Sequence, residues 1–142
     1  MTSLIVDASV VAKRLVLEPD TDKAKLLFAN WGRGEMQILA PAILPAEVAN
    51  MLWKRARRAL LSAAAVEELY REFKAFHVPL WPIDGLMELA LTLALRNGHS
   101  AYDGLYVALA VKTGRDLVTA DERLYNMLHL SIPNVRLIRD YA

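Results

Sequence analysis

The feature that most constrains the fold is the alternation of short apolar runs with longer segments of helical periodicity. Five runs have the length of strands, and apolar residues recur every three or four positions between them. This order predicts an α/β fold with a mainly parallel sheet, because parallel strands need helical crossovers. The predicted strands are residues 4–6, 36–39, 78–81, 116–119 and 135–138.

The segments between these strands predict one central helix and several amphipathic ones. Apolar stripes at helical spacing occupy residues 24–31, 44–52, 66–76 and 86–93, the last of them ending at a Gly98 cap. The helix that starts at Ser100 differs, because residues 105–111 are apolar nearly all round and should be buried. Two helices separate the second strand from the third, and two more separate the third from the fourth. The strand order can therefore depart from the chain order.

The bulk composition narrows the class of protein. A chain of 142 residues with 55% hydrophobic residues fits one domain, residues 1–142, with a sizeable core. We expect no membrane span and no signal peptide, since no apolar stretch is long enough to cross a bilayer. The chain has no cysteine, which excludes disulfides and cysteine-based zinc sites and leaves cytoplasmic residence as the expected location.

Four carboxylates stand where an apolar run passes into a helix: Asp7, Glu47, Asp103 and Asp121. Asp7 and Asp121 follow the first and fourth strands, while Glu47 and Asp103 open helices after the second and third. In open α/β sheets the ligand site lies beyond the carboxyl ends of the strands. Like charges crowded in a cleft are costly unless a cation lies among them. A metal site is therefore the first hypothesis, and an all-carboxylate site favours Mg²⁺ or Mn²⁺, which prefer oxygen ligands.

Each acid also has a structural alternative, because the first turn of a helix favours negative charge. Asp7 could be an N-cap, with its side chain accepting hydrogen bonds from the first turn. Glu47 falls two residues after Pro45, where a helix is expected to begin. Taken singly, these structural interpretations are about as good as the metal hypothesis.

The other two acids resemble parts of capping boxes. Ser100 with Asp103 has the spacing of such a box, although aspartate replaces the usual glutamate. Thr119 with Glu122 fits the box better and would leave Asp121 outside it. Capping alone does not require all four acids to lie at one sheet edge, nor does it explain Asp103 at the mouth of the most apolar helix.

Four segments carry these acids together with characteristic neighbours. They read Ile5-Val6-Asp7-Ala8-Ser9, Pro45-Ala46-Glu47-Val48-Ala49-Asn50, Ser100-Ala101-Tyr102-Asp103-Gly104-Leu105-Tyr106-Val107-Ala108-Leu109-Ala110 and Leu117-Val118-Thr119-Ala120-Asp121-Glu122-Arg123-Leu124. In this order and spacing they cover nearly the whole chain, which resembles a PIN-domain ribonuclease of the VapC type, the toxin of a type II toxin–antitoxin system. Gly104 stands where that family more often carries alanine.

The resemblance implies a three-layer α/β/α sandwich around a five-stranded parallel sheet. It implies an endoribonuclease that hydrolyses RNA phosphodiester bonds with Mg²⁺ or Mn²⁺ bound by the four acids. We expect Asp7 and Asp103 to be direct ligands, and Glu47 and Asp121 to bind through water, hold a second ion or orient the attacking water. Polar neighbours of these acids would be Thr119, Asn50 and Ser9. The resemblance further implies a homodimer and a cognate VapB-type antitoxin that covers the active site.

A basic segment at the end of the helix begun by Glu47 could grip RNA phosphates. It comprises Lys54, Arg55, Arg57 and Arg58. The structural alternative is that cations favour a helix C-terminus and remain solvated there. The net charge of +1 rises to +5 when the four acids are set aside. A basic surface around an acidic pocket suits a polyanionic substrate.

Two other functions fit the same motifs. One is a PIN-fold nuclease of RNA processing, and the other is a PIN-like module that binds RNA or a protein without cutting. The presence of all four acids argues against the second, because a scaffold without a cation would gain nothing from their repulsion.

Overall fold

The sheet of the computed structural model, which describes residues 2–142, is built entirely from parallel pairings. Its strands are β1 (Thr2–Val6), β2 (Met36–Pro41), β3 (Leu80–Trp81), β4 (Asp116–Thr119) and β5 (Val135–Leu137). They lie in the order β3-β2-β1-β4-β5. All five predicted strands are present, and the prediction of a parallel sheet is confirmed.

Helices cover both faces of this sheet, which confirms the predicted three-layer sandwich. They are α1 (Ala8–Leu15), α2 (Thr21–Gly32), α3 (Leu44–Arg57), α4 (Ala63–Ala75), α5 (Met87–Asn97), α6 (Ala101–Thr113) and α7 (Glu122–Leu128), with short 3₁₀ turns at Asp84–Leu86 and Ile138–Asp140. None of the helices within residues 2–142 has the length and apolar character needed to cross a membrane.

Four of the five strands differ from their predicted bounds: β1 begins two residues earlier, β2 ends two residues later, and the edge strands β3 and β5 are shorter. β3 is two residues long and begins at Leu80 rather than at residue 78, although the Pro79 carbonyl still accepts a hydrogen bond from the Ala40 amide at 3.1 Å. The last strand stops one residue early, because Ile138 starts a 3₁₀ turn. Edge strands have one neighbour instead of two, so fewer backbone hydrogen bonds define where they end.

The strand order places a topological switch point beside β1. The chain steps from β1 to β2 and on to β3, then returns across the sheet to β4 on the other side of β1. Val6 pairs with Val118, so the ends of β1 and β4 lie level with each other. In sheets of this kind, ligands bind beyond the carboxyl ends of the strands at this point.

Helix α6 is the central helix that the apolar run predicts. Its residues from Gly104 to Ala110 are all buried, whereas Val111 is 46% exposed, so burial ends one residue earlier than predicted. Gly104 lets α6 approach α5 closely, because a Cβ atom there would lie 2.4 Å from the carbonyl oxygen of Ala90. This close packing fixes the start of α6, where Asp103 stands.

Candidate active site

The four predicted carboxylates line a single cavity at the carboxyl ends of the strands. Its volume is about 660 Å³. The lining residues are Asp7, Ala8, Ser9, Ile43, Ala46, Glu47, Asn50, Met51, Lys54, Tyr102, Asp103, Tyr106 and Asp121. The structure therefore brings together residues that are up to 114 positions apart in the chain.

Asp7 and Asp121 are placed by the two strands that meet at the switch point. Asp7 follows β1 and is the N-cap of α1, where its Oδ1 atom accepts hydrogen bonds from the amides of Ser9 and Val10 at 3.1 and 3.3 Å. Asp121 follows β4 and is the N-cap of α7, accepting a hydrogen bond from the Leu124 amide at 3.1 Å. The capping interpretation holds for both residues, and both still face the shared cavity.

The predicted capping box of Thr119 with Glu122 is wrong. Thr119 ends β4, and its hydroxyl donates to Asp7 instead of capping α7. Asp121 caps the helix itself, while Glu122 forms an ion pair with Arg139 at 2.6 Å. Thr119 is engaged at the cavity because the parallel register of β1 and β4 brings it level with Asp7.

Glu47 and Asp103 lie in the first turns of the helices that follow. Glu47 is in the first turn of α3, whose early proline is Pro45, as predicted. Asp103 is in the first turn of α6, and its amide donates to the Ser100 hydroxyl at 3.1 Å. Both helices start at the same edge of the sheet, so their first turns point their carboxylates toward the cavity.

Two hydroxyls hold Asp7 in place and connect the ends of β1 and β4. The Ser9 hydroxyl donates to Asp7 Oδ1 and accepts from the Ala120 amide at 2.9 Å. The Thr119 hydroxyl donates to Asp7 Oδ2 and accepts from the Asp121 amide at 3.1 Å. Since the Thr119 hydroxyl is the one donor to Oδ2 within residues 2–142, that oxygen keeps a lone pair for a cation.

The cavity raises the pKa of Asp7, Glu47 and Asp103. Burial raises the pKa of Asp7 to about 6, and the hydrogen bonds from Ser9, Thr119 and Val10 only partly oppose it. Burial also raises the pKa of Glu47 and of Asp103, and repulsion between carboxylates adds to each shift. These shifts share one main physical cause, which is negative charge held away from water.

The donor set of this cavity fits a hydrated Mg²⁺ or Mn²⁺ ion. Within residues 2–142, no three acidic or histidine side chains are close enough together to enclose a metal ion by themselves. Mg²⁺ does not need such a cage, because it usually keeps several waters and binds through one or two carboxylates. Asp7 and Asp103 could hold the ion directly, with Glu47 and Asp121 reaching it through water.

The predicted polar neighbours and basic residues are only partly at the cavity. Ser9 and Asn50 line it, and Thr119 lies behind Asp7. The four residues of the basic segment go to different places, and Lys54 is the member that lines the cavity. Arg55 forms an ion pair with Glu18 at 3.0 Å, Arg57 lies over the Trp53 ring at 5.5 Å, and Arg58 is exposed at the end of α3.

Sequence reasoning missed Tyr106 as a residue of the site. It lies in the apolar run of α6 and was grouped with the core, yet its side chain lines the cavity. A signal was available, since Tyr106 follows Asp103 by three residues and so lies on the same face of the helix. Its hydroxyl is also the one polar side-chain atom in the apolar run of residues 105–111.

A second cavity of about 600 Å³ lies away from the acids and lacks the chemistry for hydrolysis. Aromatic rings and two cations line it, and no carboxylate belongs to its lining within the described chain. The lining residues are Arg14, Lys25, Phe28, Ala29, Trp31, Gly32 and Phe76.

Comparison with known proteins agrees with this geometry. Residues 4–129 match the family described as PIN domain. The chain is 40% identical over 125 residues to Ribonuclease VapC3 of Pyrobaculum aerophilum, covering 85% of this chain and 91% of that protein. It is 32% identical over 121 residues to Ribonuclease VapC9 of Mycobacterium tuberculosis, covering 85% of this chain and 87% of that protein.

Solved structures show the same fold. The crystal structure of PAE2754 from Pyrobaculum aerophilum superposes with a TM-score of 0.71 at 23% identity, covering 97% of this chain and 85% of that chain. A toxin–antitoxin complex from Klebsiella pneumoniae contains a chain with a TM-score of 0.65 at 16% identity, covering 93% of this chain and 94% of that one. Together with the extent of the family match, these likenesses confirm the resemblance inferred from the four motifs: the chain belongs to the PIN domain family and is of the VapC type.

Proposed function

We propose that this protein is a metal-dependent endoribonuclease that hydrolyses RNA phosphodiester bonds and acts as the toxin of a VapBC-type pair in the cytoplasm. The observation that carries the proposal is the convergence of four carboxylates from four separate elements on one cavity, in a chain whose relatives are named VapC ribonucleases. Residues 1–142 would act as a single catalytic domain.

The roles of the acids follow from how each is held. Asp7 is buried and fixed by two hydroxyls and two amides, so it offers a rigid oxygen ligand at the switch point. Asp103 faces it from the first turn of α6, and together they would hold Mg²⁺ or Mn²⁺. A bound divalent ion lowers the pKa of its water, polarises a phosphoryl oxygen and neutralises the leaving oxygen. Glu47 and Asp121 would orient the attacking water through hydrogen bonds.

Lys54 is positioned to hold the RNA backbone at this cavity. It lies on the face of α3 that also carries Glu47 and Asn50, and all three line the cavity. A cation at the rim of an acidic pocket attracts a phosphate without occupying the metal position. Arg55 is unsuited to this role, because Glu18 and the Met51 carbonyl already engage its guanidinium.

We also propose that the protein forms a homodimer through α5. Met87, Leu91 and Leu95 follow one another at intervals of four residues and are 42%, 52% and 78% exposed. Apolar side chains at this spacing form a continuous stripe on one face of a helix, which is typical of an interface. Light scattering on Leu91→Glu should then report a monomer where the parent is a dimer.

A VapB-type antitoxin is the second partner that we propose. The structural neighbour from Klebsiella pneumoniae is part of a toxin–antitoxin complex, and we propose that in this protein an antitoxin segment covers the cavity. An antitoxin encoded beside this protein should abolish its RNA cleavage at equimolar concentration. Continued cleavage in a stable complex would remove the proposed mode of inhibition.

The experiment that tests the activity is RNA cleavage with and without a divalent ion. We expect purified protein to cut RNA with Mg²⁺ or Mn²⁺ and to stop when a chelator is added. Asp7→Asn should abolish cutting, whereas Asp116→Asn should not, because Asp116 lies at the opposite end of β4 in an ion pair with Arg136. Cleavage that persists in the chelator or in Asp7→Asn would contradict the proposal.

Mapped RNA ends after induction in cells would identify the substrate. Ends that appear with the parent and not with Asp7→Asn are products of this site. Identical ends with both proteins would mean that the cutting comes from another nuclease.

A further inference from the structure

The hydroxyl of Tyr106 lies at the floor of the carboxylate cavity, and neither packing nor a hydrogen bond within the described residues explains why a polar group is buried there. Tyr106 is 1% exposed, and its hydroxyl is buried without a hydrogen-bond partner of good geometry among residues 2–142. The Tyr106 side chain shares the lining of this cavity with Glu47, Asp7 and Asp103. The group is therefore a donor that faces three acceptors.

Packing does not account for this hydroxyl. A phenylalanine would fill the same space in α6 and would leave no polar atom unpaired, and burying an unpaired hydroxyl is unfavourable. Tyr141 shows the ordinary arrangement elsewhere in the chain, since its hydroxyl accepts a hydrogen bond from Asn30 at 2.8 Å. The unpaired hydroxyl of Tyr106 belongs to the site and not to the core.

We propose that Tyr106 is a positioning residue for Glu47: when the metal ion is bound, its hydroxyl donates a hydrogen bond to the Glu47 carboxylate and turns that carboxylate toward the metal position. This inference rests on the proposed function, because it assigns Tyr106 a task in the same metal site. One carboxylate oxygen would take the phenolic hydrogen bond, and the other would remain free for the ion or its water.

The surroundings keep Tyr106 as a donor and Glu47 as an acceptor. Burial, followed by the charge of Glu47, raises the pKa of Tyr106 far above its usual range, so the phenol retains its proton. A hydrogen bond donated by Tyr106 would lower the pKa of Glu47, against the burial that raises it. Tyr106 therefore supports the ionised form of Glu47 without adding a charge to a site that already holds four acids.

The position of Tyr106 on α6 explains how it reaches Glu47. Asp103 is in the first turn of α6 and Tyr106 is three residues further along, on the same face and one turn deeper. Glu47 enters from the first turn of α3. The tyrosine thus lies beneath the gap between the two acids.

The test is Tyr106→Phe with Mn²⁺ affinity measured by isothermal titration calorimetry and kcat and KM measured on RNA. We expect Mn²⁺ affinity to fall by about tenfold, the effect typical of losing a group that orients a metal ligand. The same variant should show a lower kcat with an unchanged KM for RNA. Its urea midpoint measured in a chelator should not fall, because without the ion the hydroxyl is unpaired and the substitution keeps the ring.

Tyr141→Phe is the matched control, since it makes the same change at a buried tyrosine outside the site. It should lower the urea midpoint by removing a satisfied hydrogen bond and leave Mn²⁺ affinity unchanged. A Tyr106→Phe variant that loses stability while Mn²⁺ affinity and kcat stay at the parent values would overturn the inference. So would a loss of folding, which would assign the hydroxyl to the core.

A double-mutant cycle with Glu47→Gln separates action through Glu47 from a direct effect. If Tyr106 acts through Glu47, then Tyr106→Phe has no further effect on Mn²⁺ affinity in the Glu47→Gln background. Additive losses would refute the role of Glu47 as the intermediary. A parent protein that binds Mn²⁺ no better than Asp7→Asn does would instead defeat the proposed function, which is a distinct outcome.

Discussion

Replacing Asp7 with asparagine should make the protein more stable and inactive at once. Asp7 is 7% exposed and has a pKa of about 6 in place of 3.8. Because its folded-state pKa is raised, the folded protein binds more protons than the unfolded chain between these two values. Ionised Asp7 therefore destabilises the fold at neutral pH, and this penalty disappears as the pH falls through 6 toward 4.

The magnitude follows from the shift and from the hydrogen bonds of Asp7. A rise from 3.8 to about 6 corresponds to about 3 kcal/mol of destabilisation above pH 6. The asparagine oxygen can still accept from the amides of Ser9 and Val10, as an N-cap does. Its amide group loses the acceptor for the Thr119 hydroxyl, at a cost of about 1 kcal/mol. The net gain at pH 7.5 is about 2 kcal/mol.

Urea unfolding in a chelator measures this balance. At pH 7.5, Asp7→Asn should have the larger free energy of unfolding, and the difference should shrink to under about 1 kcal/mol at pH 5, where the parent carboxyl is protonated. Excess Mg²⁺ should reverse the order, because the ion stabilises only the protein that binds it. Asp116→Asn should show neither the gain nor the reversal.

Two results would refute this reasoning. One is a variant that is less stable than the parent by the same amount at every pH, because then Asp7 carries no penalty of charge burial. The other is equal stabilisation of parent and variant by Mg²⁺, because then the ion binds elsewhere.

Further outcomes follow from other contacts of the site. Gly104→Ala should destabilise the protein by on the order of 1–3 kcal/mol, because the added Cβ meets the Ala90 carbonyl. Gly32→Ala is the control, since its added Cβ enters open space and should be neutral or mildly stabilising. Urea midpoints of both variants test this, and a neutral Gly104→Ala would disprove close packing of α5 on α6. Thr119→Val should raise the pKa of the Asp7 carboxyl further, because the Thr119 hydroxyl lowers it. The acidic limb of the pH–rate profile should then move to higher pH, and an unmoved limb would count against Asp7 as the titrating group. Lys54→Glu should raise the KM for RNA and flatten the salt dependence of that KM, because Lys54 lines the cavity. Arg58→Glu is the control, since Arg58 is exposed and outside the cavity lining. Equal effects of the two substitutions would contradict a specific role for Lys54.

Local sequence patterns were sufficient to predict most of the helices and strands. The strand Asp116–Thr119 matches its predicted bounds, and the Gly98 cap of α5 lies where the Asn97-Gly98 pair indicated. These features depend on hydrophobic periodicity and backbone preferences within a few residues. The first crossover was predicted less well, because α1 and α2 are separated by a short turn in which Asp20 has a φ of 67°.

The roles of Thr119, Tyr106 and Lys54 could be decided only by the tertiary structure. Thr119 had the spacing of a capping residue, but the pairing of β1 with β4 brought its hydroxyl to Asp7. The apolar run around Tyr106 predicts a core residue, but the packing of α6 places its side chain in the cavity lining. The sequence predicts one basic patch, but successive residues of a helix point in different directions, and of the four basic residues Lys54 alone lines the cavity.

The sequence by itself determined the parallel sheet, the central buried helix and the family, because periodicity and motif order are local or linear properties. It also indicated that four acids would share one sheet edge. Only the tertiary structure decided how much charge that edge buries and which hydroxyls face it. The pKa of Asp7 and the unpaired hydroxyl of Tyr106 depend on distances between elements far apart in the chain, and those distances are set by the register of β1 with β4 and the packing of α6.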